Sequence, residues 1–269
     1  MVLAPDLLEP EYMQALAAQL AYSETAFLRH SSGYSQQVRF FAPRQEVGLC
    51  AHATLAAYHL LLEQRNISPG SFQMETLSGL HNVEVHSDGQ VIMSQNLPQF
   101  GEIISLDEVA PALGLKSVEL CSTIPAQVVS TGLRKIFIGV RSAAILEKLK
   151  FNVEKVETIS KFYSAIGMYV YFLENSTEIS AICRNCAPVV GIMEDSATGT
   201  SAAALACHLF RNGGIKPVEN GDYIFLQGFS IGQPSELKVQ LDCEENVING
   251  VRVAGKSTTV KEISVQNLS

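Results

Sequence analysis

A carboxylate four residues ahead of a cysteine, at the mouth of an apolar helix, is the first place in this sequence where chemistry could sit. Glu46 precedes Cys50-Ala51-His52-Ala53-Thr54, and the run from Ala51 to Glu63 reads as a helix. Ala53, Leu55, Ala56, Ala57, Leu60, Leu61 and Leu62 leave it no polar stripe, which predicts a helix buried inside a domain. It is too short to span a bilayer. The start of such a helix offers unpaired backbone N–H groups and the positive end of the dipole, a setting suited to an anion. An acid placed there can take and return a proton well only if burial lifts its pKa toward the working pH, while the dipole pulls the other way. The plainer reading of the same spacing is that Glu46 caps the helix or sits in a solvated turn.

About 150 residues on, the arrangement returns. Arg184-Asn185-Cys186-Ala187-Pro188 leads through Glu194-Asp195 to Thr198-Gly199-Thr200 and a second small-residue helix, apolar on all sides, to about Asn212. Tyr58-His59-Leu60 is echoed by Cys207-His208-Leu209. Two central helices with matching acidic preludes predict a duplicated domain. Around them lie strands at Thr25–Leu28, Val38–Ala42 and Gln73–Thr76, and a hairpin of 81–86 with 90–95 turned by Asp88-Gly89. A short helix at 106–113 stands at the border of the halves. Strands at 126–130, 135–140, 167–173 and 179–183, a helix at 143–149 and a strand-rich tail at 223–265 follow. Met1-Val2-Leu3-Ala4 reads as an opening strand, followed after Pro10 by an amphipathic helix with Met13, Leu16 and Leu20 on one face.

Composition narrows the choices. The 269 residues carry a net charge of −8, with 47% hydrophobic and 17% charged residues, enough for a substantial core. Lys and Arg are scattered, which argues against a nucleic-acid surface. The six cysteines are spread out and several fall in apolar runs, as buried reduced thiols of a cytoplasmic protein would. Cys183 and Cys186 have CxxC spacing, but no second CxxC or histidine pair accompanies them, so alternation along a strand is preferred to a metal site. Neither a membrane segment nor a phosphate loop or nucleotide motif is visible, and no cofactor is expected.

Taken in order, these pieces resemble the PhzF-like, phenazine biosynthesis-like family, relatives of diaminopimelate epimerase. The matching stretches are Ser23–Phe27, Val38–Pro43, Glu46–Leu55, Thr76–Gly79, Gly191–Asp195, Thr198–Thr200 and Gln227–Ser235. The resemblance implies an α+β fold of two similar domains, each a barrel-like sheet around a central helix, related by a pseudo-twofold. The domains would be 1–108 and 109–257, with a C-terminal strand at about 258–269 joining the first. It implies an isomerase with Glu46 as general acid/base in an interdomain cleft and Asp195 as the second acid. Cys50, Ala51, His52, Thr76, His81, Thr198, Gly199 and Thr200 would bind a small carboxylate-bearing substrate. Ala51 stands where the family has glycine, and the family's first strand and Gly-Asn-Pro loop are missing. A thiol-dependent epimerase would need a second cysteine where Thr198 stands, and a non-catalytic protein keeping the fold is a further alternative. Relatives are commonly dimeric, so a homodimer is expected.

Overall fold

The computed structural model describes residues 2–3, 8–30, 35–174, 178–217 and 221–257. Its architecture is mixed α+β and strand-rich, and the chain divides into two compact units, Met1–Ser94 with Ala254–Ser269, and Gln95–Val253. No helix among the described residues is long and apolar enough to cross a membrane.

The first unit runs β1 (Val2–Leu3), α1 (Pro10–Leu20), β2 (Thr25–His30), β3 (Ser35–Phe41), β4 (Glu46–Val47), α2 (Ala51–Glu63), β5 (Gly70–Thr76), β6 (Gly79–Val85) and β7 (Val91–Ser94). Proline opens α1, where its missing N–H costs nothing. Met13, Leu16 and Ala17 recur at helical spacing and pack on Phe27 and Phe41, whose rings meet edge to face at 5.5 Å. The sheet order is β1-β2-β3-β5-β6-β7, with β4 folded back on β3. Strands β3 and β5 are parallel, and parallel neighbours need a crossover; α2 supplies it. The β6–β7 hairpin turns at Asp88-Gly89, where the Gln90 N–H donates to Asp88 Oδ1 at 3.1 Å and Gly89 takes φ +82°.

The second unit contains β8 (Gln99–Ile104), α3 (Leu106–Val109), β9 (Ala126–Ser130), β10 (Arg134–Gly139), α4 (Ala143–Lys148), α5 (Val153–Phe162), β11 (Met168–Leu173), β12 (Ala181–Ala187), β13 (Ile192–Asp195), α6 (Gly199–Arg211), β14 (Tyr223–Gln227), β15 (Ser235–Glu244) and β16 (Val247–Gly255), on which the division falls. Within it the order is β16-β15-β14-β12-β11-β10-β9-β8. Here too a parallel pair, β12 and β14, is bridged by a helix, α6. Its main core gathers Val128, Ile136, Ile138, Met168 and Val170 from the strands with Val109, Leu146 and Val156 from the helices.

The structure departs from the sequence expectations in three places. The division falls after Ser94 rather than 108, because β8 pairs with β9 and so belongs to the second unit. Helix α5, capped by Asn152 through the Lys155 N–H, was not anticipated. The expected tail strand after 257 lies outside the described residues. And α2 is not buried all round: Ala56 is exposed and Leu55, His59, Leu60 and Leu62 are half-exposed. Only α6 has the expected character, with every residue from Gly199 to Leu209 buried.

Candidate functional site

Glu46 lies on β4, directly across from Phe41 on β3, and this pairing brings it to Arg39. The guanidinium grips both oxygens: Nε donates to Oε1 and an Nη to Oε2, each at 2.7 Å. Such a fork is geometrically specific and charge-assisted. Hydrogen bonding to Glu46 is the main cause that raises the Arg39 pKa. A carboxylate held this way has its lone pairs directed at a permanent cation.

The acid at the start of α2 is instead Glu24, one residue ahead of β2. Its Oε2 lies 3.0 Å from His52 Nε2, and its side chain is 9% exposed against 29% for the imidazole. Ser23 Oγ is 3.1 Å from the same ring nitrogen, and Cys50 Sγ stands 3.6 Å from Nδ1. Cys50 occupies the N-cap without a side-chain bond into the first turn, and Ala51, 1% exposed, is the first helical residue. Burial, together with the Glu24 charge, pushes the Cys50 thiol up to about 11, although His52 pulls the other way. Burial alone would depress His52; Cys50 and Glu24 outweigh it and hold the imidazole well above its usual range. At neutral pH the thiol of this cluster is therefore protonated. Sequence reasoning quoted Ser23–Phe27 but passed over Glu24, since no local pattern reveals that β2 enters the sheet beside α2.

Thr76 and His81 both meet Ser78 rather than this cluster. Ser78 Oγ is 2.7 Å from His81 Nε2 and 3.1 Å from Thr76 Oγ1, while the Ser78 N–H donates to the Gly48 carbonyl at 3.2 Å. His81 is 2% exposed, and burial lowers its pKa despite the bond between Nδ1 and the Ser94 carbonyl. Ser78 thereby ties both side chains to the loop between Glu46 and Cys50.

In the second unit Asp195, Thr198, Gly199 and Thr200 form the turn into α6. The Thr198 hydroxyl donates to Asp195 Oδ2 at 2.6 Å, leaving no side-chain cap for the first-turn amides. Thr200 is 6% exposed, and its carbonyl accepts from the Thr131 hydroxyl. A fully buried residue that sequence reasoning gave no role, Gln227 on β14, holds the turn together. Its Nε2 donates to the Asp195 carbonyl at 2.8 Å and to Thr198 Oγ1 at 3.0 Å, while Oε1 accepts from the Thr198 N–H and from Tyr169. The neighbouring Glu194 is gripped by Arg184 through Nε and an Nη, both at 2.8 Å. Cys183 and Cys186 are buried free thiols on β12.

The family model for phenazine biosynthesis-like proteins, PhzC-PhzF, matches residues 1–263. The chain belongs to this family. An uncharacterized isomerase of Clostridium acetobutylicum is 32% identical to this PhzF-like chain over 261 residues, covering 92% of it and 85% of that protein. The trans-2,3-dihydro-3-hydroxyanthranilate isomerase of Pseudomonas aeruginosa is 27% identical, covering 96% and 89%. Among solved structures, a phenazine biosynthesis protein of the PhzF family from Bacillus anthracis aligns with a TM-score of 0.84 at 25% identity, over 97% of this chain and 90% of that one. The PhzF-like chain is an isomerase, and the expectation of a PhzF-like α+β fold is met.

Proposed function

We propose that this isomerase moves a carbon-bound proton within a small carboxylate-bearing molecule, and that Glu24, not Glu46, is its general acid/base. The observation that carries the assignment is the contrast between the two acids. Both oxygens of Glu46 are committed to Arg39, whereas Glu24 engages His52 through Oε2 at the open start of a helix. His52 Nε2, 3.0 Å from Glu24 Oε2, places a second group able to carry a proton within reach of the acid. Cys50 fits the thiol alternative poorly, since a thiol pushed up to about 11 is protonated at neutral pH and its counterpart in the second unit is a threonine. Asp195 serves to orient a polar group such as an amine, and the first-turn amides at Gly199 and Thr200 to receive a carboxylate. The relative that isomerises a dihydro-hydroxyanthranilate, itself a small carboxylate, supports the substrate class.

The test is solvent-deuterium incorporation, followed by mass spectrometry, into trans-2,3-dihydro-3-hydroxyanthranilate and a panel of amino and hydroxy acids. Glu24→Gln keeps the shape of the acid but cannot return a proton, so exchange falls about 10²–10⁴-fold. Glu46→Gln loosens the Arg39 fork and costs far less. Exchange in Glu24→Gln at the wild-type rate would remove the assignment; a loss confined to Glu46→Gln would restore Glu46.

A further inference from the structure

The cysteines are free thiols, and one of them sits in surroundings unlike the rest. Cys50, Cys183, Cys186 and Cys207 are buried, and burial raises the pKa of each. Cys243 is partly exposed, but partial burial and the charge of Asp242 push it up as well. Cys121, also partly exposed, lies on the approach to β9. Its Sγ is 3.1 Å from the Thr123 hydroxyl, and the N–H groups of Ile124 and Thr123 donate to it. Burial alone would raise this thiol; the donors and the charge of Arg141 outweigh it and hold the pKa below its ordinary value. Such surroundings favour the thiolate, the form that attacks electrophiles.

Beside this sulfur stands a hydroxyl that lacks an acceptor. The Cys121 N–H donates to the Gly139 carbonyl at 2.8 Å, which lays the segment against the end of β10. Gly139 pairs in turn with Tyr171 on β11. A methyl group on Gly139 would come within 2.9 Å of the Cys121 Cβ and 3.2 Å of the Tyr171 hydroxyl oxygen, so both border the space that the glycine leaves open. Tyr171 is 0% exposed, yet its hydroxyl has no hydrogen-bond partner among the described residues. Buried hydroxyls are rarely left unpaired, and a state that brings one an acceptor is favoured. An oxygen added to the Cys121 sulfur is such an acceptor.

We propose that Cys121 is a site of reversible oxidation by hydroperoxides, and that the Tyr171 hydroxyl donates a hydrogen bond to the oxygen the sulfur gains. The thiolate electron pair attacks the terminal peroxide oxygen, an S–O bond forms and the O–O bond breaks. The sulfur is oxidised to a sulfenic acid, and the reduced fragment leaves as hydroxide or alkoxide and is protonated by solvent. A dithiol reverses the step, giving the thiol, water and the cyclic disulfide of the reductant. Cys121 takes no part in the proposed proton transfer, so the inference does not depend on the isomerase reading.

The experiment treats the purified, reduced full chain with hydrogen peroxide, quenches with catalase, adds dimedone to trap sulfenic acid and locates the label by peptide mass spectrometry. Cys121 should carry most of the label and Cys243 several-fold less, and dithiothreitol added before dimedone should erase it. No label on Cys121, or one as strong on Cys243, overturns the site. With dimedone added at increasing delays, Tyr171→Phe should lose its trappable sulfenic acid several-fold faster than the wild type. Equal lifetimes overturn the part given to Tyr171. Should Tyr171→Phe fail to fold by circular dichroism, a crystal structure of the peroxide-treated wild type decides. An oxygen on the Cys121 sulfur within hydrogen-bond distance of the Tyr171 hydroxyl supports that part, and one directed elsewhere overturns it.

Discussion

The starts of α2 and α6 are built on the same frame and furnished differently. In each unit an arginine on a strand, Arg39 or Arg184, forks onto a glutamate on a short antiparallel return strand, Glu46 or Glu194. In each, the helix begins five residues past that glutamate (46 to 51, 194 to 199) and crosses over to a parallel strand. What differs is everything that could react. The first unit brings Glu24 in from the edge of β2 to meet Cys50 and His52. The second places Asp195 and Thr198 on the turn itself and fastens them with Gln227. A duplicated fold keeps in both copies what the fold needs, and varies what only one copy's chemistry needs. On the proton-transfer reading proposed above, Glu46, which is matched by Glu194 in the second unit, serves the frame, and Glu24 serves the chemistry.

The comparison breaks first at the arginines. Arg184 also donates from Nη1 to the carbonyls of Leu146 and Leu149, and its side chain is 12% exposed against 24% for Arg39. Removing one partner of a largely buried pair leaves the other charged and unpaired, at a cost of about 3–5 kcal/mol. Arg184→Met should therefore lower the unfolding free energy obtained from urea denaturation by an amount in that range. Arg39→Met, more exposed and with fewer dependants, should cost about half as much. Equal shifts would mean that the two forks carry the same load and that the extra carbonyl contacts add nothing.

A second difference lies along the helices. His208 on α6 is fully buried near Phe137 and Tyr171, whereas its echo on α2, His59, is half-exposed. Burial lowers the His208 pKa from 6.5 to about 4. Between those values the unfolded chain binds a proton that the folded chain refuses. Stability from this group is thus complete above about pH 6.5 and is lost as pH falls toward 4, on the order of 3 kcal/mol in all. Thermal unfolding followed from pH 7 to pH 4 should show that decline, and His208→Leu should flatten it. An unchanged slope in the variant would place the acid sensitivity elsewhere.

The sequence made the frame legible and left the furnishing obscure, for physical reasons. Strand and helix patterns are local, so β9 was located to the residue, and α2 and α6 to within one. The acid-then-small-helix repeat was visible for the same reason. Return strands as short as Glu46–Val47 carry no periodicity, and without them the forks onto Glu46 and Glu194 cannot be foreseen. Glu24 meets His52 only because two segments 28 positions apart (24 to 52) are brought together by the sheet. The all-round apolar pattern also overstated α2. Its leucines tolerate partial exposure, whereas the run Ala202-Ala203-Ala204 lets α6 be enclosed on every side.

The smallest change sharpens the comparison most finely. Ala51 opens α2 where Gly199 opens α6, and both are buried. Alanine favours the helix over glycine by at most about 1 kcal/mol, and less at the first position than in the interior. Its methyl group also stands beside the first-turn amides, where an approaching anion must come close to the backbone. Ala51→Gly should therefore lower the melting temperature by only a few degrees. It should at the same time reduce the Michaelis constant for a carboxylate substrate several-fold, with little change in turnover, since the binding contact is common to the ground and transition states. A variant that loses the stability but leaves the Michaelis constant where it was would show that the start of α2 does not receive the anion. Anion binding would then fall to Gly199 and Thr200, and the first unit would be left with the proton alone.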